Sequence, residues 1–413
     1  MSLHLYAITK KLKYTYPHSY YTIQMTNLRF IDLFCGIGGF HQAMNRVGGT
    51  CVFASDIDEQ CRDVYENNYG LKPVGDITKV EINTIPDFDV LCGGFPCQSF
   101  SNSGKKMGFE DKRGNLFESI LSIAAEKRPK FMFLENVKHI KKIGDGKVFA
   151  HILNRIAETG YNVSHYELSP HQLGVPQQRE RIIFVCIRND IYDPTKIIDI
   201  NPPPTQINVS RIFETDTKIT DKYKITKDVE NVLDAWDEMI ALLETNETLS
   251  PTIMCAEFYN TYTPETFATL PQWKQDYIVK NRPIYTKYKP HWDAWFEKHR
   301  AILTKREIYS RLEWQVGKKQ HNDSIYNHFI QLRQSGIRVK KSAYFPTLVA
   351  IVQTPIYAKE RRYITPRECA RLQSFSDDFK MHENDRIAYK QFGNAVNVDV
   401  VHYVIRRTMD LYL

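Results

Sequence analysis

Pro96 and Cys97 stand in the run Gly93-Gly94-Phe95-Pro96-Cys97-Gln98-Ser99-Phe100-Ser101-Asn102-Ser103-Gly104. The run follows an apolar stretch, Phe88 to Cys92, that reads as a buried strand. Proline fixes its own φ and restricts the residue before it. A thiol placed there sits on a rigid elbow at a sheet edge, the support a nucleophile needs. Taken alone, a cysteine in a tight turn is more often a buried structural residue. Other candidate chemistry lies at Glu135, which ends the apolar run Phe131 to Leu134, and at Arg179 and Arg181, ahead of the strand Ile182 to Ile187. A carboxylate at a strand's carboxyl end sits where open α/β sheets bind ligands. The two arginines, at alternate positions, point to one side, or form a solvated edge.

The elements that must position these residues begin at Leu28. Leu28 to Phe34 is a strand signal with Asp32 inside it, and it runs into Cys35-Gly36-Ile37-Gly38-Gly39-Phe40 and a helical pattern through Val47. A second strand, Cys51 to Ser55, ends at Asp56, twenty residues after Gly36. Strand, glycine loop, helix, strand and acid is a nucleotide-binding βαβ unit. The loop lacks the full phosphate fingerprint and has no basic residue beside it. S-adenosylmethionine, with ribose, adenine and a sulfonium cation but no phosphate, suits it, and Phe34 could face the cation. NAD or FAD is the competing ligand. Further on, Asp58 to Tyr69 predicts a helix, and Val74 to Ile77 a third strand end, where Asp76 meets an adenine amino group or simply makes a turn. Lys105 to Asn115 is an irregular stretch with Gly108 and Gly114, readable as a hinged lid. Leu116 to Lys127 and Val148 to Thr159 predict helices, and Tyr161 to Leu168 a strand.

Length argues for two domains: 413 residues exceed one ordinary core. No apolar run reaches the ~18 residues of a membrane span. Met1 to Met25 lack the apolar core and cleavage site of a signal peptide and read as a loose arm. None of the eight cysteines forms a Cys-x-x-Cys pair, so neither zinc nor a disulfide scaffold is expected, and a reducing interior fits. Pro202-Pro203-Pro204 suggests a linker. Residues 190–270 hold 6 Lys+Arg against 15 Asp+Glu, whereas 271–345 hold 16 against 6 and carry Trp273, Tyr277, Tyr285, Tyr288, Trp292, Trp295, Tyr309 and Trp314. Cations interleaved with aromatics are the footprint of a nucleic-acid surface, or else an ordinary charged face. Arg367 to Phe375 and a segment opening at Gln391 predict two last helices, the second docking on the first domain.

These segments, in this order, resemble the cytosine-C5 DNA methyltransferases of the bacterial restriction-modification type. Asp32 to Phe40 is similar to the family's cofactor loop, and Gly93 to Gly104 to its Pro-Cys motif. Glu135-Asn136-Val137, Gln177 to Arg181, Arg367 to Phe375 and Gly393-Asn394-Ala395-Val396 resemble four further motifs. One such match is weak; six in order are specific. The resemblance implies an α/β fold, a Rossmann-like S-adenosylmethionine-dependent methyltransferase domain with a second, smaller target-recognition domain. Residues 1–27 would be an N-terminal extension, 28–189 the catalytic domain completed by 385–413, and 190–384 the target-recognition domain.

It further implies a DNA (cytosine-5)-methyltransferase. Cys97 would be the nucleophile, Glu135 the partner of N3, Arg181 the cation at O2, and Arg179 a support for base and loop. Asp32, Phe34, Gly36, Gly38, Gly39, Asp56, Ile57, Asp76, Ile77, Pro96, Leu116, Asn394 and Val396 would hold S-adenosylmethionine. Asp56 stands where many members have Glu, and Ile57 where many have an aromatic. Gln98, Ser99, Ser101, Ser103 and Arg113 would touch DNA around a flipped-out cytosine. The implied partner is double-stranded DNA, with no metal and no membrane, for a cytoplasmic, DNA-associated monomer. A cognate restriction endonuclease acting on the same site belongs to the same expectation. A tRNA cytosine-C5 methyltransferase is the alternative, but that subfamily reads Pro-Pro-Cys-Gln-Pro-Phe-Thr and has a short recognition region. A catalytically dead DNA-binding protein would not need intact Cys97, Glu135 and Arg181. A nicotinamide dehydrogenase offers no role for Pro96-Cys97.

Overall fold

A computed structural model describes residues 28–96, 115–214, 221–249, 252–341, 343–351 and 353–413. Its first sheet is built from the apolar runs. Arg29–Leu33 (β1) leads through the glycine loop to Gly39–Asn45 (α1), Thr50–Ser55 (β2) and Glu59–Tyr69 (α2). Val90–Gly94 (β3), Asn115–Lys127 (α3), Phe131–Val137 (β4), Lys147–Glu158 (α4), Tyr161–Leu168 (β5) and Arg181–Arg188 (β6) follow. The six strands lie in the order β2-β1-β3-β4-β6-β5. β1 to β4 are mutually parallel, and β6 runs antiparallel to both β4 and β5. Both faces are covered, as near-continuous apolar strands require. Phe30, Val90, Phe131 and Phe133 are buried on one side, and Ile31, Leu33, Leu91 and Met132 on the other.

The expected third strand end at Val74 shrinks to a single parallel bridge with Ser55. Pro73 lacks the N–H a ladder needs, and Asp76 then caps a short turn over Ile77–Lys79 instead of extending.

The second sheet belongs to the middle of the chain. Lys227–Leu242 (α5), Ile253–Met254 (β7), Pro264–Ala268 (α6), Gln272–Lys287 (α7) and Lys289–Leu303 (α8) precede Arg311–Gln315 (β8). Phe329–Arg333 (β9), Gly336–Lys340 (β10), Ile356–Tyr357 (β11) and Arg362–Tyr363 (β12) complete it, in the order β12-β11-β9-β10-β8-β7. Its own core gathers Val232, Trp236, Trp292, Trp295, Leu312, Trp314, Ile330 and Ile337.

The aromatics that suggested a nucleic-acid surface are therefore mostly core. Tyr288, Trp292, Trp295, Tyr309 and Trp314 are all buried, whereas Trp273 is 52% exposed. Trp236 Nε1 donates to the Tyr309 carbonyl at 2.8 Å and Trp295 Nε1 to the Ala235 carbonyl at 2.6 Å, the usual need of a buried indole. The basic stretch is also partly neutralised by the acidic one before it. Lys287 pairs with Glu244 and Glu247, Lys298 with Glu238, Lys305 with Asp228 and Lys274 with Glu257.

The chain returns to the first core earlier than residue 385. Ile364, Cys369, Leu372, Phe375 and Phe379 pack there, before, on and after Pro366–Leu372 (α9). Asp385–Asn394 (α10) and Val398–Tyr412 (α11) follow, and Asp399 of α11 pairs with Arg46 beyond α1 at 2.6 Å. The junction of the two units is fixed by a buried carboxylate. Glu368, with no exposed surface, accepts both terminal nitrogens of Arg362 at 2.8 Å and the Thr365 N–H at 2.8 Å. Removing one charge of such a pair strands the other. Glu368→Gln should cost about 3–5 kcal/mol of stability. A lowered midpoint in thermal or urea unfolding is the expected result, and an unchanged midpoint would mean the pair does not brace the junction.

Candidate active site

The glycine loop is held by its own acid. The Gly36 N–H donates to Asp56 Oδ2 at 2.7 Å, and the Asp58 N–H to Asp56 Oδ1 at 2.8 Å. Burial pushes the Asp56 carboxyl up, and these two N–H groups pull it back. Phe34 carries a left-handed φ of 55°, a sparsely populated conformation for a residue with a side chain and one that clusters at functional sites. Gly38, at φ 88°, leaves no room for a Cβ, which would lie 2.3 Å from the ring of Tyr69. The Tyr69 hydroxyl donates to the Ile37 and Gly38 carbonyls. An added Cβ on Gly36, by contrast, would meet nothing within 4 Å among the described residues, which leave space open above the loop.

Of the expected cofactor residues, Asp56 and Val396 touch the loop directly. Val396 reaches over from beyond α10: a Cβ on Gly39 would lie 2.6 Å from its carbonyl oxygen, and one on Gly94 3.4 Å from its Cγ2. Ile57 is 77% exposed, with its carbonyl and that of Asp56 each held by Arg62 Nη1 at 3.0 Å. Asp76 accepts from the Thr78 N–H and hydroxyl, which hold its carboxyl below the usual range, and Ile77 is buried beneath it. Leu116 is half-buried, while Pro96 and Asn394 are exposed. Asp32 differs: it is 1% exposed, lies under the loop, and neither oxygen has a hydrogen-bond partner among the described residues. Burial, then Asp56, drives its carboxyl well above the usual range.

On the next strands, Glu135 and Arg181 meet. Their side chains form an ion pair, Arg181 Nε to Glu135 Oε1 at 2.8 Å, each about one-eighth exposed (14% and 12%). The register explains the meeting: Glu135 faces Gly94 on β3, and Arg181 faces Val137 two residues further on. Asn136 Nδ2 donates to the Phe95 carbonyl at 2.9 Å, which fixes the backbone just before Pro96. Asn136 drew no role in the sequence, and its only signal was its place between Glu135 and Val137. Arg179 is 2% exposed and points elsewhere than to solvent. Its Nη1 donates to the Leu348 carbonyl at 2.7 Å, and its Nη2 to those of Gly393 and Ala395 at 3.0 Å each. Cys97, Gln98, Ser99, Ser101, Ser103 and Arg113 lie outside the described residues.

The arrangement favours a cationic or neutral ligand over the loop. A pyrophosphate there would face the Asp56 carboxylate, with no basic side chain on the loop to offset it. Among the described residues no group of His, Cys, Asp and Glu could hold a metal ion, and no helix is long and apolar enough to cross a membrane.

Comparison with known proteins agrees with this geometry. The family profile described as C-5 cytosine-specific DNA methylase matches residues 28–410. The chain is 35% identical over 382 residues to the Type II methyltransferase M.HhaI of Haemophilus parahaemolyticus, across 92% of this chain and 94% of that protein. It is 31% identical over 385 residues to the Type II methyltransferase M.HpaII of Haemophilus parainfluenzae, across 92% and 89%. In fold it is similar to the Entamoeba histolytica methyltransferase EhMeth, with a TM-score of 0.55 at 18% identity, across 93% of this chain and 98% of that one. With motifs, sheet order and profile all in the same sequence of elements, the chain belongs to the C-5 cytosine-specific DNA methylases.

Proposed function

We propose that this DNA (cytosine-5)-methyltransferase works through Cys97, Glu135 and Arg181, with S-adenosylmethionine in the space between the glycine loop and Val396. The observation that carries the reading is the Glu135–Arg181 ion pair on the strands beside the Pro96 elbow. The open room over Gly36, the exposed apolar Ile57 and the acid at the end of β2 fit an adenosine that carries no phosphate. Asp56 would take the ribose hydroxyls, Ile57 and Ile77 the adenine face, and Asp76 the adenine amino group.

Carbon 5 of cytosine is a weak nucleophile. Addition of the Cys97 thiolate at carbon 6 makes carbon 5 enamine-like. Glu135 donates to or protonates N3, and Arg181 holds O2, so charge that develops on the ring is met by groups already in place. S-adenosylmethionine, when bound, supplies an electrophilic methyl group to that carbon. Loss of the carbon-5 proton and departure of Cys97 restore the aromatic ring. The base cannot react while stacked, so it is extruded from the duplex, with Gln98, Ser99, Ser101, Ser103 and Arg113 closing on the DNA. Arg179 acts through the backbone it grips and is a positioning residue. The unit around the second sheet reads the target sequence, and the protein works on DNA in the cytoplasm as a monomer, with a restriction endonuclease of the same specificity as its cellular counterpart.

Purified protein should move labelled methyl from S-adenosylmethionine to duplex DNA, and Cys97→Ala should abolish transfer. Label appearing only on tRNA would overturn the substrate. Arg181→Ala should lower kcat about 100- to 1000-fold, the typical cost of losing one preorganised donor. Asp56→Asn should instead raise KM for S-adenosylmethionine roughly tenfold with little change in kcat, because a charge-assisted bond is lost equally in ground and transition states. A kcat defect without a KM defect would remove Asp56 from the cofactor site.

A further inference from the structure

The second sheet has two unlike faces. Ile337 pairs with Leu312 and Leu332, and Val339 with Trp314 and Ile330; these residues pack into the second core. One step along the pleat turns to the other face. There Arg338 stands between Glu313 and Gln331, Lys340 between Gln315 and Phe329, and Arg333 opposite Gly336. Three cations thus share one sheet face with the carboxylate of Glu313. At its far end Arg311 is already paired with Glu307. At its near end Lys340 Nζ meets Gln178 Oε1, three residues before Arg181. The face therefore begins beside the Glu135–Arg181 pair and runs away from it.

The charges on this face are not balanced. Glu313, whose side chain is 5% exposed, accepts from Arg338 Nε at 2.6 Å. The two terminal nitrogens of Arg338, and the whole of Arg333, have no partner among the described residues. Burial and the nearby Arg338 push both the Arg333 guanidinium and the Lys340 ammonium down, with Glu313 and Glu180 opposing more weakly. A half-buried excess of positive charge costs stability until acceptors come to meet it. The strands that carry it, β9 and β10, lie in the middle of the sheet between β11 and β8, and the turn that joins them, Gln334 and Ser335, is exposed. Base edges in the major groove of B-form DNA offer such acceptors.

We propose that Arg338, aimed by Glu313, reads the O6/N7 edge of a guanine in the DNA flanking the target cytosine. This rests on the reading of the chain as a DNA methyltransferase. With Nε tied to a buried carboxylate, Arg338 presents its remaining two nitrogens side by side, the geometry that matches the two guanine acceptors. A guanidinium fixed before binding also loses less freedom on contact than an exposed lysine does. Lys340 and Arg333, on either side of it on the same face, meet phosphates.

The test is bisulfite sequencing of DNA from a host that expresses the full chain, as wild type, Arg338→Gln, Arg338→Lys and Glu313→Gln. Wild type should require a guanine at one flanking position. Arg338→Gln should shift that single position toward adenine, with methylation of the guanine-bearing site down about 10- to 100-fold and every other position unchanged. Arg338→Lys, which keeps the charge without the fork, should relax the same position and serves if the glutamine variant does not fold. Glu313→Gln should weaken discrimination there, again at no other position. A variant that methylates less at all sites with its motif unaltered would make Arg338 a phosphate contact and overturn the proposal. Methylation by wild type with no flanking guanine required would also overturn it, leaving the enzyme's function intact. No methylation by wild type would remove both readings together.

Discussion

One guanidinium holds the molecule's separate parts in register. Arg179 is buried and makes no ion pair with a carboxylate among the described residues. Its two terminal nitrogens donate to three backbone carbonyls, 169, 214 and 216 residues away in the chain, while its Nε has no partner among the described residues. Its own N–H donates to Ser169 Oγ at 2.8 Å. Burial pushes its charged form down, so those carbonyl dipoles are what make a cation tolerable there. Each of the three bonds fixes a different feature. Leu348 lies on the connection between β10 and β11, and Gly393 and Ala395 bracket the turn that delivers Val396. A lysine, with one nitrogen and no fork, could not span all three carbonyls.

The consequence reaches the cofactor space through contacts between backbones. Val396 lies so close to Gly39 that no Cβ would fit between them, and Gly393 lies as close to Val349, where a Cβ would sit 2.4 Å from the carbonyl carbon. Neither glycine has a positive φ. Both are required by close approach, a different demand from the one met by Gly36 and Gly38 in the loop. A shift of the Gly393 turn by a few tenths of an ångström would therefore move one wall of the site. Arg179 and Gln373, whose Nε2 donates to the Phe392 carbonyl at 2.7 Å, oppose that shift from two sides.

What the sequence made legible follows from the range of the physics involved. Strands buried on both faces write themselves as apolar runs, so Phe131 to Leu134 and Ile182 to Ile187 are readable directly. The meeting of Glu135 with Arg181 was expected from motif resemblance, and cross-strand register explains it. Arg179 was read as a companion of Arg181 because the two alternate along the chain. Its partners are carbonyls, which carry no sequence signal, so its bracing role was invisible. The tryptophans failed for a related reason. An aromatic beside a lysine looks the same in sequence whether it stacks on a base or packs under a helix, and only the position of α5 shows that Trp292 and Trp295 do the latter. The segregation of acidic and basic halves misled in the same way, because tertiary pairing such as Lys298 with Glu238 cancels charge that the linear order keeps apart.

That cancellation is what gives the second sheet its meaning. If every cation between residues 271 and 345 faced solvent, affinity for DNA would be diffuse and strongly salt-dependent. Acids pair with Lys274, Lys287, Lys298 and Lys305, whereas Arg333, Arg338 and Lys340 stand as a row on one sheet face, and locality is what base reading requires. The row is joined to the chemistry by a short length of backbone. Pro176 accepts from the Phe345 N–H at 2.7 Å, the Gln178 N–H donates to the Phe345 carbonyl at 3.1 Å, and Thr347 Oγ1 donates to the Gln178 carbonyl at 2.6 Å. These bonds use no side chain from the polar face of β8 to β10. Apart from Lys340, whose Nζ meets Gln178 Oε1, residues on that face can therefore vary without moving Arg181, while any displacement of the sheet as a body is transmitted to the segment that carries Arg179 and Arg181. Sequence preference can change by substitution on the face, and catalysis stays coupled to whether the face as a whole has docked.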